Sequence, residues 1–108
     1  VTFYMEEHFS FDERLGIPLP AFKTDWDRLP EKVQHDVLLY WERIRGSIPD
    51  RIEELEADIN SKQAELNDES DFKRSCALNS EIAELASIIN DLWLWYRTHQ
   101  DVTAKLHR

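Results

Sequence analysis

Residues 51–97 read RIEELEADINSKQAELNDESDFKRSCALNSEIAELASIINDLWLWYR, and this stretch decides the fold. Two amphipathic runs flank the polar knot Asn67-Asp68-Glu69-Ser70-Asp71. In the first run Ile52, Leu55, Ile59 and Leu66 fall at heptad positions a, d, a and a, with Lys62 in the d place between the last two. That is a narrow stripe for one partner helix, and Glu53, Glu54, Glu56 and Asp58 fall away from it.

The second run is broader. Phe72, Asn79, Ala86 and Trp93 share one heptad position, Ile82, Ile89 and Tyr96 a second, and Leu78, Leu85 and Leu92 a third. Three columns exceed what a single neighbour covers. Folding the chain back at 67–71 sets Leu66 near Phe72, Ile59 near Asn79, and Leu55 near Ile82 and Ala83. On this pairing the Leu78–Leu85–Leu92 column has no mate, so an N-terminal arm or a second copy should cover it. Asn79, polar in an otherwise apolar column, is expected to be buried, where such a residue fixes register or oligomeric state or satisfies a local backbone group. Trp93 and Tyr96 share the inner face with Trp41. Trp95 points elsewhere, either exposed, which makes it a candidate interaction anchor, or covered by the arm.

Working upstream, residues 30–45 predict a helix, with Pro30 at its first position and Glu31 beside the positive end of the dipole. Val33, Val37, Tyr40, Trp41, Ile44 and Ile48 form its apolar face. Gly46-Ser47-Ile48-Pro49-Asp50 predicts a kink or tight break, with a new helix over 49–66. One long helix bent at Pro49 is the alternative, because the stripe continues in phase through Ile44, Ile48 and Ile52. Residues 1–29 predict an irregular arm. Phe3, Tyr4, Phe9, Phe11, Phe22 and Trp26 are interrupted by Gly16, Pro18 and Pro20. A short helical turn fits around Met5–Leu15, and Gly16–Pro20 should be extended. The arm is expected to dock across the helices, with donation to another subunit as the alternative. Downstream, the last helix covers 72–98, with a continuation beyond Thr98 as the alternative, and the tail from His99, with Lys105 and Arg108 near its end, should fray.

The 108 residues predict a single domain, 1–108. No run approaches the ~20 apolar residues of a membrane span, and Val1–Glu7 shows no basic region leading into an apolar stretch. Cys76 is the only cysteine, which favours a reducing, cytoplasmic home, and its place at the edge of the apolar face suggests a small core residue. The net charge of −9 disfavours nucleic acid and anionic membranes as partners. Residues 47–71 hold 9 acids against 2 bases, a net −7, whereas 72–108 hold 4 against 5, a net +1.

Chemistry-bearing patterns are sparse. None of His8, His35, His99 or His107 follows a glutamate at the three-residue spacing of a carboxylate-bridged metal bundle. The knot 67–71 lacks the glycine and distal glutamate of a calcium loop and reads as an acidic turn. Glu53, Glu56, Glu81 and Glu84 supply enough carboxylates for a Mg²⁺-dependent nucleotide pyrophosphohydrolase on an all-α bundle, but they sit on outer faces. No histidine is near Cys76 in sequence, and Gly16 and Gly46 make no phosphate loop.

The sequence thus predicts an all-α, coiled-coil-like hairpin preceded by a shorter helix and an aromatic arm, completed to a four-helix-type bundle by homodimerisation. The expected role is a non-enzymatic interaction, scaffold or regulatory protein without a cofactor. It would contact itself or a protein partner through Leu78, Leu85, Leu92, Asn79 and Trp95. The pyrophosphohydrolase is the alternative.

Overall fold

The computed structural model describes the backbone over residues 5–106 and side chains through residue 97. Phe3, Tyr4 and the charges of Lys105 and Arg108 therefore lie outside the described residues. A 3₁₀ turn, Glu6–His8, leads into strands β1, Phe9–Asp12, and β2, Ile17–Pro20, then a second 3₁₀ turn, Trp26–Arg28. Two long helices follow, α1, Glu31–Asp68, and α2, Phe72–Leu106. They pack antiparallel as a hairpin, giving an elongated body of 59 × 23 × 20 Å.

The helix start fell where the sequence put it. The Gln34 N–H bonds the Pro30 carbonyl at 3.0 Å, and Gln34 Nε2 donates to the Trp26 carbonyl at 2.8 Å. Of the two readings of 46–49, the single long helix is the one found: α1 runs through both Gly46 and Pro49 without a break. A proline in a helix interior costs about 3 kcal/mol through the lost N–H and its ring. Against that, Val37, Trp41, Ile44, Ile48, Ile52 and Leu55 all bury on one continuous stripe, each worth roughly 1.5–3 kcal/mol. Interrupting the helix would throw half of this stripe out of phase. Within the continuous helix Ser47 donates Oγ to the Ile44 carbonyl at 2.7 Å.

The turn between the helices forms where expected. Glu69 N–H bonds the Leu66 carbonyl at 3.2 Å, ending α1. The Asp71 carboxylate then accepts from Lys73 N–H at 3.1 Å, capping the free amides at the start of α2. The acidic side chains of the knot thus serve as caps. The α2 helix continues past Thr98, to Leu106, the longer of the two extents expected.

The rotational phase of α2 differs from the expected one. Leu78 and Leu92 are fully buried and Leu85 is half-buried, all within the single chain. Leu85 and Leu92 join a core shared by the arm and α1, so this part of the column is covered within the chain, the first of the two coverings expected for it. Conversely, Asn79 and Ala86 are exposed, as are Phe72 and Trp93 at 80% and 41%. The cause is the N-terminal arm, whose third layer lies against the flank of α2 that carries Ile88 and Trp95 and draws the apolar face toward it.

That arm is a β-hairpin, where an irregular segment was expected. Phe9 pairs with Pro20 and Asp12 with Ile17 in antiparallel register. The Asp12 carboxylate accepts from Leu15 N–H at 2.9 Å and its carbonyl from Gly16 N–H at 2.7 Å. Gly16 takes φ = 78°, the left-handed conformation that closes the turn and suits glycine. Met5, Phe9, Leu15 and Ile17 join the same core as Trp41, Ile48, Ile88 and Leu92.

Candidate interaction face

The helical hairpin has two broad sides, and the arm occupies one. From α1, Tyr40 meets the Phe9 ring edge-on at 4.8 Å between centroids, and Arg51 Nε donates to the Leu15 carbonyl at 3.0 Å. From α2, Arg14 is held by three side chains: Glu84 at 2.9 Å, Asp91 at 2.7 Å and Ser87 at 2.9 Å. Its hydrogen bonds to Asp91, then Glu84, raise the guanidinium pKa above its ordinary value. The hairpin turn is thereby clasped from both helices, with Leu15 seated beneath it.

Among the described residues, nothing covers the opposite side, the bare side of the hairpin. There Glu56, Ile59 and Asn60 of α1 and Ala86 and Ile89 of α2 line an open groove of about 400 Å³. Trp93 stands one helical turn along from Ile89, edge-on to Tyr96 at 5.5 Å. Arg45 stacks over the Tyr96 ring at 4.5 Å, closing that end of the groove. At the other end Phe72 projects beside the turn. Exposed aromatics thus stand on the same side as a groove of mixed character, in which Ile59, Ala86 and Ile89 lie beside Glu56 and Asn60.

The residues singled out from sequence divide across these two sides. Leu78, Leu85 and Leu92 are core-facing and offer no face to another molecule. Trp95 packs edge-on against Trp41 at 5.8 Å, so Trp95 rather than Trp93 takes the place beside Trp41. Asn79 is exposed on the bare side, and Cys76 is exposed rather than buried. Phe72, Ala86 and Trp93, expected to face inward, complete the bare side with Asn79. Their common seven-residue column was visible in the sequence, but its direction was not.

The four carboxylates weighed for metal chemistry do not converge. Glu81 faces Lys62 at 3.7 Å and Arg74 at 3.6 Å, and Glu84 is taken by Arg14. Glu53 and Glu56 are exposed on α1. Among the described residues, no group of three or more histidines, cysteines or carboxylates is placed to hold a metal ion. Also among the described residues, no helix is long and apolar enough to cross a membrane.

Comparison with protein-family models, with curated proteins and with solved structures finds no match.

Proposed function

We propose that this protein is a non-enzymatic interaction module, a small scaffold or regulatory protein whose working surface is the bare side of its helical hairpin. One observation carries the reading: the arm completes the core on one side and leaves the other with a groove flanked by exposed aromatics. The arm acts chiefly by holding the two helices, although Phe11 remains outward-facing at 61% exposure and extends the contact surface. Its place is the cytoplasm, where an exposed thiol such as that of Cys76 stays reduced.

The test is a photoreactive residue introduced in cells at position 86, on the bare side, and in parallel at position 80, on the exposed back of α2. Adducts of defined mass from position 86 but not from position 80 support the reading. Equal adducts from both positions, or none from either, overturn it.

A further inference from the structure

We propose that the occupant of the bare side is a second copy of this chain, packed antiparallel about a two-fold axis crossing α2 between Ile82 and Ala83. The inference rests on reading that side as an interaction surface and names what covers it.

Three properties of the face favour this occupant. The first is shape. Phe72, Asn79, Ala86 and Trp93 recur every seven residues along α2, with large rings at the ends and small side chains in the middle. In the antiparallel register Phe72 lies against Trp93 of the partner subunit, and Asn79 against Ala86 of the partner subunit. The small central residues let the helices close while the aromatics lock both ends. Asn79 then sits at the interface, where one polar residue selects register.

The second property is charge. The turn end carries Asp68, Glu69 and Asp71, and the opposite end presents exposed Arg97, one turn beyond Trp93. The register that sets Phe72 over the partner's Trp93 brings Arg97 alongside the partner's acidic turn. A parallel arrangement would stack acidic turn on acidic turn, a like-charge juxtaposition that disfavours it.

The third is area. The 21 steps from Phe72 to Trp93 rise about 31 Å along the helix. Taking the 20 Å extent of the molecule as the width of that strip, the contact footprint is about 600 Å² per copy, at the lower end of stable interfaces.

Sedimentation equilibrium across the micromolar range should show a mass rising from 12.9 kDa to twice that value. Ala86→Glu, exposed in the single chain, should keep its helical circular dichroism and weaken association at least ~100-fold, because it buries an unpaired charge. Arg97→Asp should weaken association, and adding Asp68→Arg should restore it. In a Cys76→Ser background, Asn79→Cys mixed with Ala86→Cys should form a disulfide on mild oxidation, and neither variant alone should. A mass of 12.9 kDa throughout, or a dimer indifferent to Ala86→Glu, overturns the inference. Self-crosslinking by each variant as efficient as in the mixture overturns the antiparallel register. If the purified protein is monomeric while position 86 still labels a different protein in cells, only the occupant is wrong and the interaction reading stands.

Discussion

Replacing Gly46 with alanine tests the continuity of α1, and Gly16→Ala supplies the matched opposite. A Cβ built at Gly46 meets nothing within 4 Å, the residue is exposed, and its φ is not positive. Within a helix, alanine is favoured over glycine by about 0.8–1.0 kcal/mol. For a domain of this size each kcal/mol moves Tm by roughly 4–8 °C, so Gly46→Ala should raise Tm by about 5 °C. At Gly16 the sign reverses. The left-handed backbone costs an alanine about 1–2 kcal/mol. Its Cβ would also fall 2.6 Å from Arg51 Nε, displacing a hydrogen bond worth about 1 kcal/mol. A loss of about 2–3 kcal/mol follows, read as a fall of about 10 °C or more. Thermal melts followed at 222 nm by circular dichroism measure both variants in one experiment. A lowered Tm for Gly46→Ala would refute the continuous helix, because only a chain that breaks there in a left-handed conformation needs that glycine.

The rotational phase of α2 is tested by truncation. Leu78→Ala and Leu92→Ala should each cost about 2–5 kcal/mol in urea melts, as fully buried leucines do, whereas Phe72→Ala should change the stability of the single chain by no more than about 0.5 kcal/mol; the reverse order would rotate the helix back to the expected face. Arg14→Ala should speed amide exchange across 9–20 while leaving the middles of α1 and α2 protected. Salt at about 1 M, where screening acts within ~3 Å, should speed the same amides in the wild type but add little in the variant; uniform exchange changes across the whole chain would refute a separable arm. Mg²⁺ or Mn²⁺, with or without nucleotide, should leave Tm unchanged. A saturable rise abolished by Glu53→Gln with Glu56→Gln would instead support carboxylate chemistry on α1.

The helical hairpin was legible because its signals are local. Periodic apolar residues mark each arm, and a run of turn-forming polar residues separates them. At 46–49 the sequence allows a tight break or one long helix bent at Pro49, and the continuous helix is the one that forms. Gly46 and Pro49 are strong local punctuation, but the stripe from Val37 to Leu55 spans five turns and outweighs it. The phase of α2 depended on something distant in sequence. The column Arg74, Glu81, Ile88, Trp95 is charged where Glu65 and Lys62 face it and apolar where the arm covers it. No periodicity within α2 shows where that covering lies. The β-hairpin left a fainter trace: Phe9 and Phe11 alternate, Ile17 and Leu19 alternate, and Asp12 stands four residues before Gly16 as the closing turn requires. The prolines at 18 and 20 masked it. They are tolerated because an edge strand leaves their missing donors facing outward. For the bare side the seven-residue column was readable, but its exposure was not.

The clasp on Arg14 also has a meaning in time. Its partners Glu84 and Asp91 lie 70 and 77 residues further along the chain. At a synthesis rate of about 5–20 residues per second, several seconds pass between the making of the arm and the making of the helix that receives it. Through that interval Phe9, Leu15 and Ile17 have neither Ile88 nor Leu92 to bury against. An isolated two-stranded hairpin is marginally stable at best in water. Until α2 is made, the hairpin has only α1 to pack against, through Tyr40 and Arg51, so its full docking waits for the second helix.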